Sequence, residues 1–289
     1  MTTSTIYGSE VKHFRSIGSL RLRNNLVDLC KPNIMAIVNA TPDSFYKNSQ
    51  YNDNQSLKAY LDLCKSLNIS FLDVGAQSTR PGHEKVDSKT QIERLKPILN
   101  FIKETLPEIH ISIDTSCPEV ADWALINGGE IINDVEGGKN NPEIWSVCAS
   151  HQAPYILMHS KGASSALHDS YDYENVTVDV LHELSASLNT IKSKGVKDII
   201  IDPGFGFSKS IEENHELMSN LKLFQLFEHP LLVGISRKSM IYKRLGVDSD
   251  AAINGTTILN TYALLNGASF IRVHDPREAY EIIQLFNQE

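Results

Sequence analysis

The stretch DIIIDPGFGF, residues 198–207, decides the fold. Ile199, Ile200 and Ile201 are consecutive β-branched residues with no polar alternation, the pattern of a strand buried on both faces in a parallel sheet. The run ends on a carboxylate, Asp202, and breaks into a loop of proline and glycine. The same grammar recurs in both directions. Upstream lie IMAIVN (34–39), FLDVG (71–75), HISID (110–114), EIIND (130–134) and PYILMH (154–159); downstream lie PLLVGIS (230–236) and SFIRVHD (269–275).

Helical signals separate these runs. Leu57, Leu61, Cys64 and Leu67 keep helical spacing. Ser116 and Cys117 before Pro118 open a helix that Gly128 stops, and Asn141-Pro142 opens the next. Val176 to Lys194 reads as a long amphipathic helix ending at Gly195. Ser210 to Glu213 and Asp275 to Glu278 have the form of capping boxes. Pro97, within ERLKPILNFI, is expected to kink or interrupt its helix.

Eight strand–helix units in about 240 residues match a (β/α)₈ TIM barrel. The competing fold is an open doubly wound sheet, which gathers its ligand groups at one switch point. Here nearly every run ends in a polar residue: Asn39, Asp73, Asp114, Asn133 with Asp134, His159, Asp202, Ser236, then Arg272 and His274. A ring of that kind is expected when eight strands share one mouth. The reading is therefore an α/β chain with one catalytic (β/α)₈ barrel over 34–289, preceded by an N-terminal extension, 1–33, packing on the barrel.

The chain has 289 residues, 41% of them apolar, enough for a full core, and a formal net charge of −8 that makes it a poor nucleic-acid binder. Its first residues, MTTSTIYGSE, lack the basic and apolar regions of a signal peptide, and no apolar run is long enough to span a membrane. Cys30, Cys64, Cys117 and Cys148 are far apart without CxxC spacing, so they read as free thiols of a reducing cytoplasm rather than a zinc site.

Several strand ends carry chemistry. NATPDSF (39–45) places an amide, a hydroxyl, a carboxylate and an aromatic in one loop, although TPDS alone is ordinary turn chemistry. GAQSTRPG (75–82) combines small residues with Arg80, a planar anion fork or a solvated loop arginine. Asp114 and Asp202 are carboxylates at strand ends that need a partner: a cation, a metal or an N–H-rich edge. For Asp114 a cap on the following helix is the alternative; for Asp202 a glycine-rich loop intervenes. Arg272 and His274, two residues apart, point to one face near the usual phosphate corner after the last two strands, unless they are a structural arginine and a core histidine. His159 reads more readily as structural. The remaining histidines show no metal spacing, and Trp123 and Trp145 read as packing residues.

Taken in order and spacing, NATPDSF, DVGAQSTRPG, IDTSCPEVADWAL, IINDVEGG, ILMH, IDPGFGF, VGISRKSMI and IRVHD resemble the motifs of dihydropteroate synthases, and together they cover Ile34 to Asp275. The resemblance implies a pterin-binding barrel that condenses 6-hydroxymethyl-7,8-dihydropterin diphosphate with p-aminobenzoate, releasing diphosphate. It implies pterin contacts from Asp114, Asn133, Met158, Asp202, Phe207, Gly234 and Lys238. It gives diphosphate contacts to Asn39, Arg80, Arg272 and His274, with Mg²⁺ on Asn39. It gives the p-aminobenzoate pocket to Phe45, Thr79, Pro81, Lys238 and Ser239, and catalytic roles to Asp43, Arg80, Asp114 and Lys238. Sulfonamides as inhibitors and a homodimer follow from it too, with no nucleic-acid or membrane partner. The chain departs from the family at Ala40, across Tyr46 to Tyr51, and at Gln77 where a glutamate is usual. These changes bear on loop dynamics and rate. Two rivals remain at this level: a pterin-binding methyltransferase serving a corrinoid, and a non-catalytic paralogue.

Overall fold

The computed structural model describes residues 18–22, 25–40, 50–77, 86–161 and 171–286. A short antiparallel hairpin, β1 (Ser19–Leu22) and β2 (Asn25–Asp28), precedes the main sheet. The sheet strands are β3 (Asn33–Asn39), β4 (Phe71–Gly75), β5 (His110–Asp114), β6 (Ile131–Asp134), β7 (Tyr155–Met158), β8 (Ile199–Asp202), β9 (Leu232–Val233) and β10 (Phe270–Val273). All pair in parallel, in the order β8-β7-β6-β5-β4-β3-β10-β9, and a parallel bridge from Ile201 to Leu231 joins the two ends of that order. Eight parallel strands with helices between them make a (β/α)₈ barrel, not an open sheet with a switch point.

Around it run α1 (Gln50–Ser66), α2 (Ser88–Thr105), α3 (Pro118–Ile126), α4 (Glu143–His151), α5 (Val176–Ser193), α6 (Ile211–Ser219), α7 (Ser239–Leu245), α8 (Ile253–Leu265) and α9 (Pro276–Phe286). Three expectations change. Pro97 does not interrupt α2, which runs unbroken past it. Pro97 and Glu93, whose carbonyl loses its intrahelical donor, are both exposed, so water can satisfy that carbonyl while Leu95, Ile98, Leu99 and Ile102 hold the buried face. The capping box at Ser210 and Glu213 is present, whereas Asp275 accepts a fork from Arg237, Nη2 at 2.7 Å and Nε at 2.9 Å. The run 230–236 yields only a two-residue strand, with Gly234 to Ser236 continuing as loop.

Strand alternation sorts the interior into layers. Met35, Phe71, Ile131, Ile156, Ile200, Leu232 and Phe270 form one apolar cluster inside the barrel, with Phe71 and Phe270 edge to face at 5.1 Å. Leu20, Leu22 and Leu29 join that same cluster from the hairpin side. Each such side chain contributes about 1.5–3 kcal/mol by leaving water. The alternate residues, among them Val38, Leu72, Val74, Ile113, Leu157, Ile201 and Val273, belong to the larger cluster shared with the helices.

Candidate active site

Two residues further along most strands, the inward positions turn polar. From Phe71 the alternation leads to Asp73 and Gly75, and from His110 to Ser112 and Asp114. From Ile131 it leads to Asn133, from Ile156 to Met158, from Ile200 to Asp202, and from Phe270 to Arg272. The register aligns Gly75 with Asp114, and Asp114 with Asn133. Gly75 is small for a reason: a Cβ there would lie 3.3 Å from that of Asp114. The layer above the apolar floor is thus a polar one at the carboxyl ends of the strands.

Arg272 organises it. Its Nε donates to Asp73 Oδ2 at 2.6 Å and its Nη2 to Asp114 Oδ2 at 2.9 Å. Asp73 is fully buried and also accepts from Ser112 Oγ at 2.6 Å and Asn133 Nδ2 at 3.0 Å. Burial pushes the Asp114 carboxyl up to about 7 against the pull of Arg272, with Asp73 and Asp134 adding to the rise. The helix-cap alternative for Asp114 does not appear, since its carboxylate faces Arg272 and Cys117 stands at the cap of α3. Asp202 is also displaced upward by burial, opposed by Lys238 and by the Gly204 N–H that donates to its Oδ1 at 2.7 Å.

Lys238 leans over the same loop. Its ammonium donates to the Phe205 carbonyl and lies 4.4 Å from the centre of the Phe207 ring. Burial lowers its pKa to about 8, with Asp202 pulling upward and Arg272 pressing downward. Gly206, at φ +78°, is where that side chain passes: a Cβ would lie 2.8 Å from Lys238 Cδ. Met158 and Phe207 are buried together with Val135. His274 is exposed at the rim, 3.1 Å from Ser236 Oγ through Nδ1. Asn39 ends β3, and Ser239 opens α7 beside Lys238.

The structure therefore brings Asp114, Asn133, Met158, Asp202, Phe207, Gly234, Lys238 and Arg272 to one end of the barrel. Asp43, Phe45, Thr79, Arg80 and Pro81 lie outside the described residues. The base of the second loop is described: Gln77 Oε1 accepts from Gln91 Nε2 and the Val86 N–H, both at 3.4 Å, and Arg94 donates to the Ala76 carbonyl at 3.0 Å. Asp134, in the strand-end ring by sequence, points away from the interior and accepts from Tyr155 OH and the N–H groups of Glu136 and Gly138.

Sequence reasoning passed over two residues. Asp73 appeared only as one polar strand end; its inward phase with Gly75 was the available signal. Lys209 carried none, because nothing local shows that a lysine between Ser208 and a helix cap folds back to be 8% exposed. Among the described residues no three His, Cys, Asp or Glu side chains cluster to hold a metal. Asn39 offers a single amide oxygen, which suits an ion carried largely by phosphate and water.

The comparisons agree with this geometry. The model of the pterin binding enzyme family matches residues 35–274. A dihydropteroate synthase of Clostridium beijerinckii is 38% identical, over 85% of this chain and 89% of that one. The Yersinia pestis dihydropteroate synthase, solved with a sulfonamide drug, superposes with a TM-score of 0.85 at 30% identity, covering 93% of this chain and 98% of the other. The Thermus thermophilus enzyme, solved with 4-aminobenzoate, gives 0.82 at 30% identity over the same shares. A match that begins inside β3 and ends at His274 takes in every strand of the barrel, and the chain belongs to the dihydropteroate synthase family of pterin-binding enzymes.

Proposed function

We propose that the polar layer at the barrel mouth is where this dihydropteroate synthase performs its reaction, joining 6-hydroxymethyl-7,8-dihydropterin diphosphate to p-aminobenzoate. The observation that carries the reading is the Arg272 guanidinium set between Asp73 and Asp114, with Asn133 donating to the same Asp73 oxygen. A pterin presents a two-donor N–H edge, and a buried carboxylate is its natural acceptor. Asp202 takes that edge, with Asn133 and Asp114 completing the polar rim. Lys238 donates to the ring carbonyl and N5, while Met158 and Phe207 cover the ring faces and Gly234 keeps the wall thin.

The diphosphate meets Arg272, His274, Asn39 and Arg80. Mg²⁺ on the Asn39 oxygen would supply charge stabilisation for the leaving group. A guanidinium has five N–H donors, so two carboxylates orient Arg272 without exhausting it. When the carbon–oxygen bond to diphosphate breaks, positive charge develops on the pterin methylene, and Asp114 lies where a carboxylate stabilises it. The neutral amine of p-aminobenzoate attacks, the carbon–nitrogen bond forms, and a proton leaves the nitrogen. Asp43, Phe45, Thr79, Arg80 and Pro81, on the first two loops, close the second pocket with Lys238 and Ser239.

Turnover with both substrates and Mg²⁺, read as diphosphate release that requires p-aminobenzoate, tests the assignment. Release without p-aminobenzoate would mean hydrolysis, and none at all would leave a pterin-binding paralogue. Binding is expected to be ordered, because the loop residues gather around bound diphosphate. p-Aminobenzoate or a sulfonamide should bind poorly alone and at least tenfold more tightly with Mg²⁺-diphosphate. Equal affinity in both titrations would refute the ordered scheme.

The domain organisation we propose is one catalytic barrel over 34–289, with residues 1–33 as an N-terminal extension packing on it. The cytoplasm suits the four free cysteines, of which Cys64 and Cys148 are buried. Among the described residues no helix is long and apolar enough to cross a membrane. A second copy of this chain is the proposed partner. Helix α8 is apolar on both sides: Ala263 and Leu264 face the core, while Ile258, Tyr262 and Leu265 stand exposed at i, i+4 and i+7. Leu245, the last residue of α7, and Val247 beyond it extend the exposed apolar surface. Sedimentation should show a dimer that Ile258→Asp converts to monomer; a monomeric parent protein would remove the proposal.

A further inference from the structure

A chain of polar contacts running from buried Lys209 and His159 out to Glu183 stands behind the proposed pterin seat, and none of the roles above uses it. Lys209 follows the loop 203–208 and turns back beneath it. Its ammonium donates to the carbonyls of Gly204 at 3.0 Å and Phe207 at 3.1 Å, and lies 3.1 Å from His159 Nδ1. His159 is 1% exposed, one residue past Met158 and on the opposite face of its strand. Its Nε2 faces Glu183 Oε2 of α5 at 3.3 Å. Glu183 in turn meets Lys139 at 3.2 Å and Lys161 at 3.3 Å.

The proton positions follow from donor chemistry. An ammonium has only protons to give, so His159 Nδ1 accepts and the ring is the neutral Nε2–H tautomer; its Nε2 lies beside Glu183 Oε2 without the alignment of a hydrogen bond, so Glu183 acts on the ring through its charge. Burial, aided by Lys209, lowers the His159 pKa to about 4, which agrees with a neutral ring. Glu183 is held well below the usual carboxylate range, first by His159 and also by Lys139.

The same loop is fixed from its other sides. Gly204, at φ +72°, packs so closely that a Cβ would lie 1.9 Å from the His159 carbonyl oxygen. Ser208 Oγ accepts from the Lys161 N–H at 3.0 Å and donates to the Lys161 carbonyl at 2.7 Å. Lys238 holds the Phe205 carbonyl from the mouth side. Two lysines thus grip the carbonyls of Gly204, Phe205 and Phe207. That short segment also supplies the N–H on Asp202 Oδ1 and the Phe207 ring. Burying an ammonium is costly, and an apolar side chain of similar length would fill the space without that cost. The ammonium is there for what it holds.

We propose that Lys209, oriented by His159 and Glu183, is a positioning residue that presents Asp202 and Phe207 to the pterin. The proposal rests on the pterin reading of Asp202 and Phe207. Lys209 does not touch the substrate; it fixes the loop from beneath, so its loss is felt in pterin affinity and not in the grip on diphosphate.

The test uses the full chain and three probes in calorimetry: the pterin diphosphate, a bare pterin, and inorganic diphosphate with Mg²⁺. Lys209→Met should weaken both pterin ligands about tenfold or more, as for loss of charged hydrogen bonds, and leave inorganic diphosphate within about twofold. Glu183→Gln, a neutral near-isostere at a partly exposed position, should shift the same two ligands in the same direction by a smaller factor. It raises KM for the pterin diphosphate with kcat little changed, and it keeps the idea testable if Lys209→Met fails to fold. Lys209→Arg should recover part of the pterin affinity. Asp202→Ala is the reference. If it weakens the bare pterin while both Lys209→Met and Glu183→Gln do not, the seat stands and the positioning role is overturned. If Asp202→Ala leaves bare-pterin affinity unchanged, the seat is misassigned and the proposal falls with it. Equal losses for all three probes would mark Lys209 as a general structural residue and overturn the proposal as well.

Discussion

Asp202→Ala is expected to cost pterin binding about 2–4 kcal/mol, roughly thirty- to several-hundred-fold in affinity, the scale for truncating one partner of a buried charged hydrogen-bond pair. Asp202 is 6% exposed at the end of β8, where one oxygen already takes the Gly204 N–H. Its upward displacement by burial means that the protein's own groups, Lys238, Arg272 and Lys209 among them, compensate its charge incompletely. A ligand that brings two N–H donors supplies what is missing. Asp202→Asn should lose nearly as much as alanine, because the amide turns a donor toward a donor edge. Affinity for Mg²⁺-diphosphate should change little. Calorimetry on the bare pterin decides the matter: an unchanged dissociation constant would end the assignment of Asp202 as the pterin acceptor.

The barrel was legible because its signals are local. Each strand is an apolar run with a polar end, and β4 and β5 fall on the residues that the pattern marks. Helix starts were legible where a proline or a serine cap announces them, as at Pro118 and Ser210. What failed depends on tertiary context. Pro97 is tolerated because the turn it disturbs faces solvent, which a linear pattern does not record. Asp275 has the spacing of a cap, but its carboxylate is gripped by Arg237, 38 residues away in sequence. β9 is cut to two residues because the chain leaves the ladder at Gly234.

The proposed site divides in the same way. Asp114, Asn133, Asp202, Arg272 and His274 announce themselves by strand-end position, and alternation alone puts them on one side of the barrel wall. Asp73 was harder to weigh because its importance comes from Ser112, Asn133 and Arg272, three partners on three other strands. The chain from Lys209 through His159 to Glu183 joins a loop, a strand end and a helix. No motif spans those elements, so packing alone makes it visible.

Arg272→Ala should have two separable effects. The first is on ligands: diphosphate affinity should fall more than tenfold while a bare pterin is largely spared, since Arg272 is the half-buried cation assigned to the phosphate corner. Equal losses for both ligands would mean that Arg272 only supports the fold. The second effect is on stability. Removing the guanidinium leaves Asp73, fully buried, and Asp114, 9% exposed, without their cation. Breaking a buried pair from one side costs about 3–5 kcal/mol. The cost should depend on pH in a direction set by Asp114. Its folded pKa already lies above the ordinary carboxylate value, at about 7, because burial outweighs Arg272. A raised folded pKa contributes stability that is fully present below the unfolded value of about 4 and is lost as pH rises through the folded value. Without Arg272 the folded value rises further. The variant should therefore melt closest to the parent near pH 5 and fall progressively behind it toward pH 8. Adding Asp114→Asn to Arg272→Ala removes the uncompensated carboxyl that titrates in this range and should recover part of the loss at pH 8 but little at pH 5. A melting-temperature gap that stays constant across that range, or a double variant no more stable than Arg272→Ala at pH 8, would show that the Asp114 carboxylate does not depend on Arg272 for its charge.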